Sequence, residues 1–185
     1  MSEDRLELAD PAVELEAAYL AMIDDFAAAG EPYHQHERAE VEMDFPGFVR
    51  KLRDWSRGVN LRPDCVASTT YWLVRGRTVL GTSRLRHSLC DRLLHEGGHV
   101  GYDVRPSERG RGYATRLLAL TLAKARERGI VRALVTCDAD NAASARVIRK
   151  NGGALEDERI SLRTGKPIRR YWIDLALPER ETSHG

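Results

Sequence analysis

A glycine-rich junction between a predicted strand and a predicted helix constrains this chain more than any other feature. The junction reads Arg109-Gly-Arg-Gly-Tyr-Ala114. It follows an extended run from Gly97 to Pro106 and opens a helix, rich in Leu and Ala, from Tyr113 to Arg128. The first N–H groups of a helix lack helical partners and lie at the positive end of its dipole, so they bind phosphate oxygens. The junction therefore predicts a pyrophosphate cradle, to which Arg109 and Arg111 add charge-assisted hydrogen bonds.

The glycine spacing does not fit two common nucleotide-binding loops. A Rossmann fingerprint requires Gly-x-Gly-x-x-Gly, but after Gly110 and Gly112 the third position is Thr115. A P-loop requires Gly-Lys-Ser or Gly-Lys-Thr, which the junction lacks. The sequence thus argues against both kinds of loop.

The predicted elements after the cradle narrow the choice further. A second strand, Val131 to Cys137, follows the helix, and the segment Asp138 to Ser144 opens another helix. Asn141 is a good cap for that helix, because its side chain can accept from a free N–H group of the first turn.

In this context the cradle resembles the acyl-CoA signature of the GNAT superfamily of N-acyltransferases, Gln/Arg-x-x-Gly-x-Gly/Ala. Arg109, Gly112 and Ala114 stand at its defined positions, and the resemblance runs from about Thr69 to Leu177. It implies an α/β fold with a mixed, largely antiparallel twisted sheet of about six to seven strands and flanking helices. Acyl-CoA would lie in a splay between the two central parallel strands.

The resemblance also implies a reaction. An acetyl group would pass from acetyl-CoA, as co-substrate, to a primary amine of a small molecule or peptide, by direct attack on the thioester and without a metal. The backbone N–H of Val104 would stabilise the thioester oxygen as negative charge develops. The implied acyl-CoA contacts are Asp103, Val104, Arg105, Arg109, Gly110, Arg111, Gly112, Tyr113, Ala114, Thr115, Asn141 and Ser144.

The attacking amine must lose a proton, which calls for a base. Glu96 is the first candidate and His99 the second, although Glu96 fits a solvated charge before the strand almost as well. For the leaving thiolate, many relatives use a Tyr in the helix after the Asn, but that position is Ile148 in this chain. Tyr171 or water would have to substitute, and such a Tyr more often packs in the sheet.

A different motif, His95-Glu-Gly-Gly-His99, matches the zinc signature His-Glu-x-x-His. That chemistry requires a helix, and two adjacent glycines cost a helix about 2 kcal/mol relative to alanine. We therefore interpret the match as chance and keep a zinc hydrolase as the weaker alternative. A noncatalytic acyl-CoA sensor is the other alternative. The His34-Gln-His36 segment is predicted to lie in a surface loop.

Length and charge agree with one enzyme domain of 185 residues. Residues 1–66 would form a helical part on the acceptor side, and residues 67–177 the acyl-CoA-binding core and a C-terminal hairpin. The 29 Lys and Arg residues nearly balance the 28 Asp and Glu residues, which disfavours nucleic-acid and membrane partners. No long apolar segment or disulfide framework is visible, so a cytoplasmic protein is expected, with a homodimer left open.

The remaining pattern predicts short elements at both ends of the chain. A strand at Leu6 to Leu8 precedes a helix from Asp10 to Gly30, and a second helix starts at Pro46. Two hairpins are predicted, the first from Thr69 to Arg86 and the second from Ala154 to Leu177. Aromatic candidates for the acceptor cleft are Tyr33, Tyr71, Trp72, Tyr171 and Trp172.

Overall fold

The computed structural model describes residues 5–31 and 34–176, so Tyr33 and Leu177 lie outside the described residues. Seven strands form one mixed sheet. They are β1 (Leu6–Ala9), β2 (Ser68–Arg75), β3 (Thr78–Arg86), β4 (Val100–Val104), β5 (Arg132–Asp138), β6 (Ala154–Ile160) and β7 (Pro167–Asp174). Their order across the sheet is β1-β2-β3-β4-β5-β7-β6, and β4 with β5 is the one parallel pair among the described strands. The mixed, largely antiparallel sheet predicted from the sequence is confirmed.

Six α-helices connect and cover these strands in the described ranges. They are α1 (Glu16–Ala28), α2 (Gln35–Met43), α3 (Phe45–Ser56), α4 (Asp91–His95), α5 (Tyr113–Glu127) and α6 (Ala142–Lys150). None of the helices in residues 5–31 and 34–176 combines the length and apolarity needed to cross a bilayer.

Helices α1, α2 and α3 cover one face of the sheet. Their buried side chains form a cluster with Trp72, Val74 and Val79 of β2 and β3. The ring of Tyr19 in α1 stacks on Trp72, with 4.7 Å between the ring centroids. Asp44 caps α3 by accepting from the Gly47 N–H at 2.8 Å, so α3 begins where its apolar face meets the sheet.

Helices α5 and α6 cover the opposite face. Leu117 of α5 packs against Leu73, Leu80 and Val104 of the sheet. Ile148 of α6 lies in a larger cluster that includes Tyr71, Leu85, Val135 and Tyr171. Between the two helical layers, the ends of β4 and β5 remain open. Side chains at these strand ends can therefore reach a cleft.

Strands β4 and β5 pair at one position and then separate. Val100 and Val135 are the only partners in register within the described chain. Just before them, Gly98 adopts a φ of +60°, and a Cβ there would lie 2.4 Å from the Leu134 carbonyl oxygen. A side chain at position 98 would therefore prevent the close approach that joins the strands, beyond which they diverge.

Two local predictions were wrong. The extended run predicted from Gly97 shrinks to Val100–Val104, because Gly97 and Gly98 both have positive φ and α4 ends two residues earlier, at His95. The predicted surface loop at His34 to His36 is instead the start of α2. The side chain of His36 is 79% exposed, but His34 is 8% exposed as a residue.

His34 is buried because it joins α2 to β4. Its Nδ1 lies 3.0 Å from a carboxylate oxygen of Glu37, and its Nε2 lies 3.3 Å from Asp103 Oδ1. The Tyr19 hydroxyl donates to Glu37 at 2.8 Å, and the Thr82 hydroxyl donates to Asp103 Oδ2 at 3.1 Å. Elements α1, α2, β3 and β4 therefore share one polar network.

The network favours a charged imidazole. Burial alone would lower the pKa of His34, but the hydrogen bonds with Asp103 and Glu37 outweigh it and raise the pKa to about 10. An imidazolium donates from both ring nitrogens, which matches two carboxylate acceptors. Because the folded pKa exceeds the unfolded value near 6.5, this stabilisation is complete below about pH 6.5 and is lost as the pH rises toward 10.

Replacing His34 by Gln should lower the free energy of unfolding by about 3 kcal/mol at pH 6, because it leaves two partly buried carboxylates without their cation. Urea denaturation at pH 6, 8 and 10 should show the difference from wild type shrinking as the pH rises. The matched control is His36→Gln, which alters a solvent-exposed ring. A His34→Gln deficit that stays constant across this pH range would contradict an imidazolium in the network.

Candidate active site

The predicted cradle forms the start of α5. Gly110 and Gly112 have φ values of +79° and +82°, and no side chain caps the helix. The first helical bond runs from the Arg116 N–H to the Gly112 carbonyl, so the N–H groups of the preceding turn have no helical partner. A Cβ on either glycine would meet no atom within 4 Å and would project into open space.

That space is a cavity of about 640 Å³, here called the cradle cavity. It extends from the start of α5 along the end of β4 to the first two turns of α6. Of the twelve predicted acyl-CoA contacts, ten line it: Asp103, Val104, Arg109, Gly110, Gly112, Tyr113, Ala114, Thr115, Asn141 and Ser144. The other two, Arg105 and Arg111, do not line this cavity.

The arginines of the cradle region bond to carboxylates of this chain. Arg109 forms a two-pronged ion pair with Glu31, at 2.6 and 2.8 Å, and its Nε donates to the Val104 carbonyl at 3.0 Å. Arg105 donates to Asp25 at 2.7 Å, and Arg111 lies 3.2 Å from Glu108. The ion pairs of Arg105 and Arg109 therefore attach the loop after β4 to α1 and to the residues that follow α1. The pair of Arg111 with Glu108 links two residues within the loop itself.

Two further cations line the cradle cavity from α6. Arg146 and Lys150 are one turn apart, are exposed, and have no ion pair among the described residues. Our sequence reasoning missed both, although their spacing of four residues after a capped helix start was a usable signal. The cavity thus combines unpaired backbone N–H groups with two unpaired cations, which suits a ligand with several negative charges.

The N–H of Val104 faces the gap between β4 and β5. The next residue, Arg105, donates its N–H to the Leu80 carbonyl on the β3 side at 2.9 Å. Because successive N–H groups of a strand point to opposite edges, the Val104 N–H points toward β5, where the strands have separated. This orientation is the one that an oxyanion donor in the splay requires.

Asn141 caps α6, with its side-chain oxygen accepting from the Ser144 N–H at 2.9 Å. The Ser144 hydroxyl lies 2.8 Å from the hydroxyl of Tyr102, a β4 residue that the sequence reasoning missed. Ile148, one turn further along α6, is fully buried in the core. The phenol nearest the splay therefore comes from β4 and not from α6.

Tyr102 also stands where three cavities meet. It lines the cradle cavity, a cavity of about 380 Å³ beside Glu96 (the strand cavity) and one of about 180 Å³ beside His34 (the helix cavity). Burial raises the pKa of Tyr102 to about 12, against the opposite effect of its hydrogen bond with Ser144, so the phenol keeps its proton at neutral pH.

The three predicted catalytic side chains lie in different surroundings. Glu96 lines the strand cavity and accepts a hydrogen bond from the Ser161 hydroxyl. His99 lies in the seam between β4 and β5, where its Nδ1 accepts from the Leu134 N–H at 3.0 Å. Tyr171 is fully buried in the core, and its hydroxyl has no hydrogen-bond partner in the described chain. Of the three, Glu96 alone lines one of these three cavities.

His99 is electrostatically unlike His34. Burial, together with the nearby Arg86 guanidinium, lowers the pKa of His99 to about 4, so its ring is neutral at pH 7. The contact with Leu134 also requires an unprotonated Nδ1, because this nitrogen accepts the hydrogen bond from the Leu134 N–H.

The geometry does not support the zinc alternative. The helix ends at His95, and Glu96 is already extended, so the two imidazoles do not share a helix face. His95 Nε2 instead lies 2.9 Å from the Ile160 carbonyl, while His99 contacts β5. No group of three or more His, Cys, Asp or Glu residues suited to hold a metal occurs in the part of the chain that the structure describes.

Solved structures share this fold at low sequence identity. The mycobacterial RimJ of Mycobacterium smegmatis, in complex with CoA-disulfide, aligns with a TM-score of 0.70 and 17% identity over 93% of this chain and 83% of its own. The yncA protein of Salmonella typhimurium, with acetyl-CoA, aligns with a TM-score of 0.64 and 15% identity over 95% and 97% of the two chains.

A third structure comes from an acetyltransferase of Salmonella typhimurium that modifies the N-terminal serine of the ribosomal protein L7/L12. It aligns with a TM-score of 0.63 and 18% identity over 91% of this chain and 94% of its own. No curated protein matches this sequence significantly.

The family assignment comes from the sequence itself. Residues 10–154 match the family model of the acetyltransferase (GNAT) domain, which covers most of the chain. The matched region contains the cradle, the splayed strands and the first turns of α6. The chain therefore belongs to the GNAT acetyltransferase family and is an acyltransferase.

Proposed function

We propose that this protein transfers an acetyl group from acetyl-CoA to the primary amine of a small molecule or peptide. The observation that carries the proposal is the junction of the three cavities at Tyr102. The N–H of Val104, which faces the gap between β4 and β5, lies beside this junction. The cradle cavity can hold a phosphorylated donor, and the other two cavities lead an acceptor to the same point. The neighbour that modifies an N-terminal serine supports a peptide amine as one class of acceptor.

The residues present fit acetyl-CoA. The uncapped N–H groups of Tyr113, Ala114 and Thr115 would hold the pyrophosphate, with Arg146 and Lys150 adding positive charge. Asp103 and Val104 would bind the pantetheine arm through their backbone groups, and Asn141 and Ser144 would flank it. When bound, acetyl-CoA supplies an activated thioester as the acyl donor.

Direct attack by the amine fits the side chains beside the splay. The nearest thiol is Cys137, which is buried, and burial raises its pKa despite a hydrogen bond with Ser144. A neutral thiol is a poor nucleophile, so a covalent acyl-enzyme on Cys137 is disfavoured. The Val104 N–H would instead stabilise the oxyanion formed when the amine adds to the thioester carbonyl.

Two side chains are proposed to move protons. Glu96 would accept the proton of the amine, directly or through water, because it faces the strand cavity. Tyr102 would donate a proton to the departing thiolate, since its phenol is protonated and lies at the cavity junction. Neither His99 nor Tyr171 lines any of the three cavities that meet at Tyr102, so we give those two residues a structural part in this proposal.

Three expectations from the sequence remain predictions. They are a single domain divided near residue 66, a cytoplasmic location, and the absence of nucleic-acid and membrane partners. The possibility of a homodimer also remains open to measurement by sedimentation.

The first test concerns the cradle. Gly112→Asp would place a carboxylate where phosphate binds and should weaken acetyl-CoA binding at least tenfold in calorimetry, since like charges repel at the site. Gly129→Asp is the matched control, because Gly129 ends the same helix with a φ of +80° and equally open space. Both variants should keep the wild-type circular dichroism spectrum. Equal affinities of the two variants would contradict the cradle.

The second test concerns the base. Glu96→Gln should lower kcat at pH 7 by about tenfold or more, and the loss should shrink at high pH as the free amine becomes abundant in solution. The control is Glu158→Gln, which removes an exposed carboxylate of β6 that pairs with Arg169. A pH–rate profile of Glu96→Gln that parallels wild type would remove Glu96 from the mechanism.

The third test concerns the acid. Tyr102→Phe should lower kcat about tenfold to a hundredfold, with a smaller change in the KM for acetyl-CoA, because water replaces the phenol as proton donor. Ser144→Ala keeps the phenol and removes its partner, so its effect should be smaller. An unchanged kcat in Tyr102→Phe would show that the phenol is not the proton donor.

A further inference from the structure

We propose that Arg146 and Lys150 of α6 bind the phosphate on the ribose 3′-oxygen of coenzyme A. This inference deepens the proposed function, because it names the part of the donor that the α6 cations recognise, and it rests on that function. Coenzyme A has a pyrophosphate and, apart from it, a single phosphate on the ribose. The protein would then select acetyl-CoA against acyl thioesters that lack this separate phosphate.

One face of α6 forms a wall of the cradle cavity. The residues of this wall are Ala143, Arg146, Val147 and Lys150. Their spacing of three and four residues places them on a single side of the helix, while Arg149 is exposed and does not line the cavity. The two cations therefore face the cavity because of the helix period, without a contact to another charged side chain.

The two ends of this wall lie beside different parts of the site. At the start of α6, the Ser144 hydroxyl lies 2.8 Å from the Tyr102 hydroxyl at the junction of the cavities. Just after α6, the Asn151 side chain donates to the Thr115 carbonyl at 3.3 Å, which places that end beside the first turn of α5. Lys150 lies about 9 Å further along the helix axis than Ser144. The reacting thioester belongs at the first end, so the nucleotide part of the donor belongs at the second.

The carboxylates that line the cavity, among the described residues, all contact cations of this chain. The pairs are Glu31 with Arg109, Asp103 with the His34 imidazolium that Glu37 also contacts, and Glu108 with Arg75 and Arg111. Carboxylates and cations are equal in number in this set. Arg146 and Lys150 therefore add an excess of positive charge, because neither forms an ion pair with any described residue.

The two α6 cations would be stabilised by an anion between them. They are four residues apart, and like charges at this spacing destabilise a helix. The carboxylates just before α6, Asp138 and Asp140, do not line the cavity. A phosphate between the two side chains would reduce their repulsion and accept charge-assisted hydrogen bonds from both.

The pyrophosphate has its own donors at the start of α5. There the uncapped N–H groups of Tyr113, Ala114 and Thr115 would hold it, and the preceding glycines leave open space. The ribose separates the 3′-phosphate from the pyrophosphate, so one set of N–H groups cannot hold both. Arg146 and Lys150 are the cations of the described cavity wall that remain for the 3′-phosphate.

The test compares CoA with dephospho-CoA, which differs from CoA only in lacking the 3′-phosphate. In calorimetry, the wild-type protein should bind CoA at least about tenfold more tightly than dephospho-CoA. Because the two cations are exposed, raising the salt concentration to about 0.3 M should reduce this ratio. Neither ligand carries an acyl group, so turnover does not affect the measurement.

Removal of the cations should weaken the binding of one ligand only. Arg146→Gln and Lys150→Gln should each lower the affinity for CoA severalfold and leave the affinity for dephospho-CoA within about twofold of wild type. The double variant should bind the two ligands about equally. Arg149→Gln is the matched control, because it removes an exposed arginine of the same helix outside the cavity and should leave the ratio unchanged.

The outcomes separate this inference from the proposed function. Equal binding of CoA and dephospho-CoA by the wild-type protein would overturn the inference and leave the proposed function standing. A double variant that loses affinity for both ligands at an unchanged ratio would place the cations at the pyrophosphate and would also overturn it. A preference for CoA that the double variant retains, without loss of affinity, would overturn it as well. Failure of the wild-type protein to bind CoA or acetyl-CoA would refute the proposed function, and the inference with it.

Discussion

The separation of β4 from β5 after a single bridge is the constraint on which the rest of the site depends. A fully paired sheet would bury the Val104 N–H in a ladder and close the passage beside Tyr102. Because the strands part instead, one backbone donor faces a cleft, and the cradle at the start of α5 lies at one end of that cleft. Gly98 makes this possible by letting the strands meet closely just before they diverge.

Helix α2, on the opposite face of the sheet, depends on electrostatics more than its neighbours α1 and α3 do. Helix α2 has one fully buried apolar side chain, Val41, and the His34 network attaches it to β4. A buried imidazolium between two carboxylates is stable only if all three groups stay paired. The position of α2 therefore depends on charge balance, whereas α5 and α6 are fixed by a packed core.

Local chemistry made the cradle, the Asn141 cap, the hairpins and the family resemblance predictable from sequence. Gly112 and Asn141 act through their own backbone and nearest neighbours, so short patterns reveal them. His34 contacts Asp103, which lies 69 residues away in the sequence, and no residue beside His34 indicates that partner. Tyr102 was missed for the same reason, because its importance comes from cavities that form only when distant strands and helices assemble.

The Arg109 ion pair has a consequence for how such a protein can be divided or recombined. Arg109 belongs to the acyl-CoA signature, yet its guanidinium forms an ion pair with Glu31, which follows α1. Arg105 nearby forms an ion pair with Asp25 within α1. The loop between β4 and α5 is thus shaped partly by the N-terminal helix, which precedes it by some 80 residues. Exchanging the N-terminal helices between relatives to alter acceptor choice would disturb donor affinity as well. It would not do so if the exchanged segment kept acidic residues at the positions of Asp25 and Glu31.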